Sequence, residues 1–240
     1  MSHKEESKKI NLLLGDVSWD KKLGAYYIDM RPAEVHYTGN IYNGKFDAEG
    51  VPMITVTDGN IDYFSINIAQ YGFIKHAKWL ESKDPNELKV LMACIDRLEK
   101  MKATDGVQAI WRHNYREDKY DIDAPWPSAM AQGEIISLYL RVYQINNDAS
   151  LLETAIQAFN FLKVDIKDGG TRFTDSNGFV WLEEYPSAPH SFVLNGFIYA
   201  IFGIIDLYRV TGDQEVKAEM DVFLNTLLKN VSQFDCGYWS

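Results

Sequence analysis

Residues Ser191–Tyr208 read SFVLNGFIYAIFGIIDLY, and this stretch decides the fold class. As a helix it is apolar on nearly every side, so other elements must cover it all round. The stretches Tyr63–Ser82 and Ser128–Gln144 have the same character. Each of the three is followed by an amphipathic run, which is typical of an outer helix. The pattern therefore predicts three pairs, each with an inner and an outer helix.

The outer helices are predicted over Asp84–Lys102, Leu151–Leu162 and Asp213–Lys229. Asp84-Pro85 indicates a helix start, with a capping side chain and a proline in the first turn. Three consecutive pairs predict a mainly α protein, built as an α/α toroid in the form of a partial ring of helical hairpins. Such a ring usually needs more than three pairs to close, so either the ring is open or part of it lies outside this chain.

Two non-helical inserts interrupt the helices, over Gly106–Trp126 and Gly169–Pro186. The second contains Asp175-Ser176-Asn177-Gly178 between strand-like residues, which predicts a short β-hairpin. Val51–Val56 predicts a further strand. Both inserts precede an inner helix, so we expect them at the same end of the ring.

The 240 residues carry 34 acidic and 24 basic side chains, a formal net charge of −10. This charge argues against a nucleic-acid partner, because neutralising phosphates requires a basic face. Cys94 and Cys236 fit no zinc or redox spacing, and Cys94 is expected in the core. No signal-peptide pattern opens the chain, and Phe192–Ile205 is too short to span a membrane, which favours a cytoplasmic protein. We assign residues 1–24 to an N-terminal tail or lead-in and residues 25–240 to one α/α domain.

The segment Gly178–Pro186, GFVWLEEYP, has the most informative chemical pattern. As a strand it places Val180, Leu182 and Glu184 on one face. A carboxylate that shares a face with apolar side chains is a candidate for a raised pKa, which suits a general base. The alternative is that Glu183 and Glu184 are solvated residues at the end of a hairpin.

Two further motifs lie at or near the starts of inner helices. Ala124–Gly133 reads APWPSAMAQG and offers the Gln132 amide to a hydroxyl group, while Ile68–Gly72 reads IAQYG and offers Gln70. Their small residues allow a ligand to approach closely. Tight packing between helices explains the same residues, so both interpretations stay open.

Taken together, Phe64–Gly72, Ala124–Gly133 and Trp181–Gly196 resemble, in the same order, hallmark motifs of the C-terminal domain of D-glucuronyl C5-epimerases. The resemblance covers roughly Val51 to the C-terminus. It implies an α/α toroid that converts D-glucuronate residues of a polysaccharide to L-iduronate by inverting C5. In that chemistry one group removes the C5 proton and another returns a proton to the opposite face. It requires no metal or cofactor, so the resemblance implies that none is bound.

The resemblance implies that Glu184 is an acid/base and that Tyr185 is a phenolic donor to the substrate carboxylate or a proton-transfer partner. Substrate contacts are expected from Trp126, Gln132, Gln70, Arg172, Arg116, His190 and Asn195. Cationic residues of the two inserts predict a rim that attracts a uronate; they are Arg112, His113, Arg116, Lys119 and Arg172. Solvated loop charges are the alternative interpretation. The expected partner is a uronate-containing polysaccharide or oligosaccharide, and a homodimer is left open.

Two departures from the family pattern concern the active site. The family continues after an Asp-x-Gly turn into a Tyr-Asp-x-Arg motif with a catalytic tyrosine, whereas this sequence runs Phe234-Asp-Cys-Gly-Tyr-Trp-Ser240 and stops. Tyr238 does not match that position, so we expect a C-terminally truncated domain without the opposite-face proton donor. Pro127 replaces an aromatic residue that usually follows the tryptophan. The alternative functions are a uronate polysaccharide lyase and a catalytically silent glycan-binding domain.

Overall fold

The structure is a computed structural model that describes residues 13–38, 44–56 and 59–235. The helices of this part of the chain are α1 (Val35–Thr38), α2 (Ser65–Ser82), α3 (Pro85–Met101), α4 (Ala129–Asn146), α5 (Ala149–Leu162), α6 (Leu194–Thr211) and α7 (Gln214–Asn230). The strands are β1 (Leu13–Leu14), β2 (Ile28–Asp29), β3 (Lys45–Phe46), β4 (Pro52–Thr55), β5 (Ile61–Asp62), β6 (Ala103–Thr104), β7 (Ala109–Ile110), β8 (Arg112–His113), β9 (Trp126–Pro127), β10 (Arg172–Thr174) and β11 (Val180–Leu182). The prediction of a mainly α protein is confirmed.

The strands form small antiparallel sheets between the helices, with the orders β1-β2, β3-β4-β5, β6-β7, β8-β9 and β10-β11. In the last of these, Arg172 pairs with Leu182 and Thr174 pairs with Val180. The turn between them ends at Gly178, whose φ of +84° lies in the left-handed region that glycine adopts without strain. The predicted β-hairpin is therefore confirmed, and β4 confirms the strand expected within Val51–Val56.

The helix starts follow from local capping chemistry. The Asp84 carboxylate accepts a hydrogen bond from the backbone N–H of Asn86 at 2.8 Å, and Asp213 accepts one from Glu215 at 2.7 Å. These side chains satisfy N–H groups that have no partner within the helix. The helices then pack as three hairpins, in which α2 contacts α3, α4 contacts α5 and α6 contacts α7.

The centre of the fold is α4, which packs against α2, α5 and α6. Every residue from Ala129 to Val142 is buried, as expected for an inner helix. At its contact with α6, a side chain on Gly133 would collide with the backbone of Ala200, and one on Gly203 would collide with the backbone of Gly133. These glycines therefore let the two helix backbones touch.

The last inner helix, α6, is covered less completely than its sequence predicts. Phe197, Ala200 and Ile204 are buried, but residues such as Ile198 and Phe202 are only half-buried. Within the described residues α6 is long and apolar enough to cross a membrane, and half of it is buried inside the protein. A core helix passes the same test, so this is weak support for a membrane span.

Residues 13–24, which the sequence groups with the N-terminal tail, pack against the inner helices. Leu23 is buried, and its backbone N–H donates to the Gln144 side chain at 2.8 Å. Arg209 of α6 donates to the carbonyl of Asp20 at 2.8 Å. This segment therefore belongs to the folded body, whereas residues 1–12 lie outside the described part of the chain.

A buried ionic group, here called the aspartate cluster, joins α4, α6 and the segment after β1. Asp206 accepts hydrogen bonds from Arg141 Nη1 at 2.5 Å, from the Tyr27 hydroxyl at 2.7 Å and from Arg209 Nη1 at 3.3 Å. The side chains of Asp206, Arg141 and Arg209 are fully buried. Arg209 Nη2 also lies 4.0 Å from Asp16. Because the carboxylate has three donors, its burial is compensated.

Candidate functional site

The segment after β11 is held against the start of α4. The carbonyl of Glu183 accepts a hydrogen bond from the backbone N–H of Ala129 at 3.0 Å, and its own N–H donates to Thr171 at 2.8 Å. Ser128, directly before α4, caps that helix by accepting a hydrogen bond from Ala131. These contacts fix the two glutamates beside the N-terminal end of the central helix.

Glu183 anchors the loop that leads into α6. Its carboxylate accepts hydrogen bonds from the backbone N–H groups of Ser191 at 3.2 Å and Phe192 at 3.1 Å, and from the Ser191 hydroxyl. Phe192 has a φ of +47°, so these bonds hold a backbone conformation that a bulky residue rarely adopts. With every oxygen engaged, Glu183 is a structural residue.

Glu184 is also buried, but one of its oxygens is free. Its exposed fraction is 6%, and Oε2 has no hydrogen-bond partner among the described residues. Burial raises the pKa of Glu184, while the interaction with Tyr185 and the charge of Lys119 oppose that shift. The alternative that both glutamates are solvated is therefore wrong.

Gly196, in the first turn of α6, makes room for this carboxylate. A Cβ atom at position 196 would overlap Glu184 Oε2 and would lie 2.5 Å from Glu184 Cβ. No ordinary side chain fits in that space, so the glycine is required for the observed position of Glu184 against the start of α6.

The structure adds a second buried carboxyl that the sequence analysis missed. Glu134 on α4 is 0% exposed, and its Oε1 accepts a hydrogen bond from Gln70 Nε2 at 3.0 Å. Its Oε2 has no partner among the described residues. Burial raises the pKa of Glu134 well above the usual range, and the charge of Glu184 adds to this effect. The acidic residue inside the mostly apolar helix α4 was the signal available in the sequence.

Tyr199 lies close enough to both carboxyls to feel their charges. Burial raises its pKa to about 12, with smaller contributions from Glu134 and Glu184. Tyr185 is affected in the same direction by burial and by Glu184. We call Glu134, Glu184, Tyr185 and Tyr199 the carboxyl cluster. Two acids and two neutral phenols therefore lie near one another at the N-terminal ends of α4 and α6.

Aromatic rings extend from the carboxyl cluster along the first insert. Tyr185 stacks on Tyr120, with ring centroids 4.2 Å apart, and lies 5.5 Å from Trp126. Trp126 in turn stacks on His113 at 4.3 Å, and its Nε1 donates to the carbonyl of Tyr115 at 2.9 Å. Trp126 is 2% exposed, so it is a buried packing partner of the Tyr185 ring.

The predicted substrate contacts fall into different positions. Gln70 is half-buried and donates to Glu134, which joins it to the carboxyl cluster. Asn195 is exposed in the first turn of α6, next to Gly196. Gln132 is fully buried: its Oε1 accepts from the backbone N–H of Trp111 at 3.0 Å, and its Nε2 donates to the carbonyl of Ala109 at 2.8 Å. Because both amide atoms are already bonded, the structure gives Gln132 a structural position and not a substrate contact.

The predicted cationic rim is largely neutralised by acidic neighbours. Arg116 is surrounded by the carboxylates of Asp118, Asp121 and Asp123. Arg172 pairs with Glu219 of α7 at 2.8 Å, so its side chain is directed to the outer helix. Among the predicted cations, Lys119 is the one whose charge lowers the pKa of Glu184. Neither Arg116 nor Arg172 is therefore brought to the carboxyl cluster.

His190 occupies an exposed position in the loop before α6. Its ring stacks on Phe173 of β10, with centroids 3.6 Å apart and nearly parallel planes. The same loop is anchored through Glu183, so His190 lies near the site as part of its supporting structure. Tyr238 and Cys236 lie outside the described residues.

Comparison with known proteins identifies the family. The model of the protein family D-glucuronyl C5-epimerase C-terminus matches residues 105–240, which is more than half of the chain. The chain therefore belongs to the D-glucuronyl C5-epimerase C-terminal family. This confirms the resemblance carried by the three sequence motifs.

Two curated relatives show how far the similarity extends. A D-glucuronyl C5-epimerase of Caenorhabditis elegans is 44% identical over 94 residues, which is 39% of this chain and 15% of that protein. An uncharacterized protein of Methanocaldococcus jannaschii is 28% identical over 134 residues, which is 55% of this chain and 44% of that protein. The chain thus spans less than half the length of either relative.

Proposed function

We propose that this chain is part of a D-glucuronyl C5-epimerase, in which it contributes to inverting C5 of D-glucuronate residues in a heparan sulfate-like polysaccharide to L-iduronate. The observation that carries the proposal is the buried Glu184 carboxylate, with one free oxygen beside Tyr185. Membership of the family supports the reaction class. We also propose that the three helical hairpins form part of an α/α toroid.

Proton transfer at C5 requires a base with a suitable pKa. The C5 hydrogen is adjacent to the substrate carboxylate, so the electron pair left after its removal is delocalised into that group. Glu184 takes this proton in the proposed reaction, because burial brings its pKa closer to the working pH. A proton is then returned to the opposite face of C5, which gives L-iduronate.

The negative charge that develops on the substrate carboxylate requires hydrogen-bond donors. Burial and the nearby acids raise the pKa of Tyr185, so its phenol keeps its proton and donates to that carboxylate. Burial and the charge of Glu184 also raise the pKa of Glu134, so Glu134 keeps its proton. It therefore adds no negative charge beside the substrate carboxylate. Its bond to Gln70 makes it a positioning residue for that amide.

The test is incorporation of deuterium at C5. The chain is incubated in heavy water with a glucuronate-containing polysaccharide, and the product is followed by NMR for C5 exchange and for iduronate signals. We expect Glu184→Gln to lower the exchange rate by about 10²–10⁴-fold, the usual contribution of a general base. Glu153→Gln, an exposed glutamate on α5, is the matched control and keeps the wild-type rate.

Two outcomes would contradict the proposal. An unsaturated product that absorbs in the ultraviolet would indicate elimination at C4, which is lyase chemistry. Binding of the polysaccharide without C5 exchange, unchanged in Glu184→Gln, would indicate a glycan-binding domain instead.

A further inference from the structure

A cavity lies at the other end of the inner helices from the carboxyl cluster. Its volume is about 600 Å³, within the usual range for small-molecule sites. The C-terminal residues of α2, α4 and α6 line it, together with the segment before β2. The lining groups that bear on its chemistry are Lys21, Lys22, Lys83, Arg141, Trp79 and Tyr143.

The charge of this cavity is opposite to that of the whole chain. Four of its lining side chains are cationic, and none of the described lining residues is acidic. The chain as a whole carries a net charge of −10. Asp206 is not a lining residue, but it pairs with Arg141 Nη1 at 2.5 Å and balances that charge. The three lysines therefore set the positive potential of the cavity, because the carbonyl ends of helices contribute only about half a negative charge each.

Two buried polar atoms of the lining residues lack partners. Arg141 donates through Nε to the carbonyl of Gly24 at 3.1 Å and through Nη1 to the carbonyl of Ser137 at 2.9 Å and to Asp206 at 2.5 Å, but Nη2 has no partner among the described residues. His76 is 1% exposed, and its Nδ1 is likewise unpartnered within the described part of the chain. Burial, followed by the charges of Arg141 and Lys83, lowers the pKa of His76 to about 3. Buried polar groups in native proteins almost always have partners, so these two atoms leave hydrogen-bonding capacity that a ligand in the cavity can use.

The aromatic surface of the cavity restricts the ligand class. Trp79 is half-buried, and Lys83 Nζ lies 4.1 Å from the centroid of its ring system. An aromatic face next to a cation suits a molecule with a flat apolar surface and an attached anion. Sugar rings present such C–H faces.

We propose that this cationic cavity binds an anionic sugar, whose carboxylate or phosphate group lies among Lys22, Lys83 and Arg141 while its ring contacts Trp79. The site is separate from the carboxyl cluster, since it lies at the opposite ends of the same helices. The proposal does not depend on the epimerase reaction, because it rests on the charge, the unpartnered atoms and the aromatic surface of the cavity.

The test is an NMR titration that follows the indole N–H signal of Trp79, assigned with Trp79→Phe. The ligands are glucuronate, glucose 1-phosphate, glucose and inorganic phosphate. We expect both sugar anions to shift the signal at lower concentrations than glucose or inorganic phosphate. The two anions together show whether the carboxylate or the phosphate is preferred.

Charge substitutions complete the test. Attraction between unit charges about 4 Å apart in water corresponds to about a fivefold change in affinity, so Lys83→Gln and Lys22→Gln should each weaken binding by about that factor. Lys217→Gln on the surface of α7 is the matched control and leaves the affinity unchanged. C5 exchange in Lys83→Gln should equal that of the wild type.

The absence of any shift at Trp79 would overturn the proposal. Equal affinities for inorganic phosphate and the sugar anions would overturn its sugar component. An affinity that falls as much in Lys217→Gln as in Lys83→Gln would show that general surface charge, and not the cavity, attracts the ligand.

Discussion

The aspartate cluster and the carboxyl cluster are both buried between α4 and α6, yet they differ in how their polar atoms are satisfied. Glu134 and Arg141 are seven residues apart on α4, roughly 10 Å along the helix. Asp206 receives three donors, whereas Glu134 and Glu184 each have one oxygen without a hydrogen-bond partner in the part of the chain that the structure describes. A satisfied buried charge holds the helices together, whereas a buried carboxyl group with an unbonded oxygen leaves capacity for a substrate. The two ends of the same helices therefore serve stability and chemistry separately.

The largest effect should come from removing the satisfied carboxylate. Asp206→Ala leaves Arg141 and Arg209 buried without their shared partner, so we expect the free energy of unfolding to fall by about 3–5 kcal/mol. Urea denaturation followed by circular dichroism measures it. Asp221→Ala is the control, because that exposed carboxylate pairs with Lys217 on the surface of α7 and its loss should cost about 0.3–0.5 kcal/mol. Equal losses in both variants would show that the aspartate cluster is not the stabilising one.

A smaller effect is expected where the carboxyl cluster is tightly packed. Gly196→Ala places a methyl group against the Glu184 carboxylate, and overpacking of this kind costs about 1–3 kcal/mol. The higher helix propensity of alanine offsets this by up to about 1 kcal/mol, so the expected net change is a modest loss of stability. C5 exchange should fall more clearly, because the base itself is displaced.

Gly72→Ala is the control for Gly196→Ala. Its added methyl group would meet the tip of the Leu138 side chain at 2.6 Å, which can rotate away. We expect that variant to keep its C5 exchange rate. If Gly196→Ala also exchanged at the wild-type rate, the position of Glu184 would not matter for the reaction.

The most gradual effect concerns the pH dependence of stability. The pKa of Glu134 is raised in the folded state, so the folded protein binds more protons than the unfolded chain above the unfolded pKa of about 4.3. The contribution of this group to stability is complete below that pH and falls as the pH rises toward the folded pKa. The maximal slope is about 1.4 kcal/mol per pH unit.

Glu134→Gln removes this loss, because glutamine does not ionise and its Oε1 can still accept from Gln70. The variant should therefore gain stability relative to the wild type as the pH rises above about 4.3, in urea denaturation across a pH series. Comparing the two proteins cancels the opposite effect of the buried histidines His76 and His113, whose pKa values are lowered to about 3. Parallel curves for variant and wild type would mean that Glu134 titrates normally.

The fold could be predicted from the sequence because its signals are local. Asp84 and Asp213 cap the helices that follow them, and Asp175–Gly178 forms its turn without help from distant residues. Apolar periodicity then distinguished the buried α4 from the one-sided outer helices. The degree of coverage of α6 was not predictable, since it depends on which elements surround it.

The site was predicted less completely because it depends on contacts between distant residues. The motif identified Glu184 and Tyr185, but Glu134 becomes part of the site only when α4 packs against α6. Gln132 precedes Glu134 by two residues and faces the backbone of the first insert, a direction set by packing. The charge of Arg116 in the sequence gave no indication that three aspartates would neutralise it.

The contact between α4 and α6 through Gly133 and Gly203 also has a mechanical consequence. Two backbones that touch directly have no flexible side chains between them to absorb a displacement. The two helices therefore move as one rigid unit, with the carboxyl cluster at one end and the cationic cavity at the other. A ligand at either end must be accommodated by the surrounding loops, because sliding α6 along α4 would drive one backbone into the other.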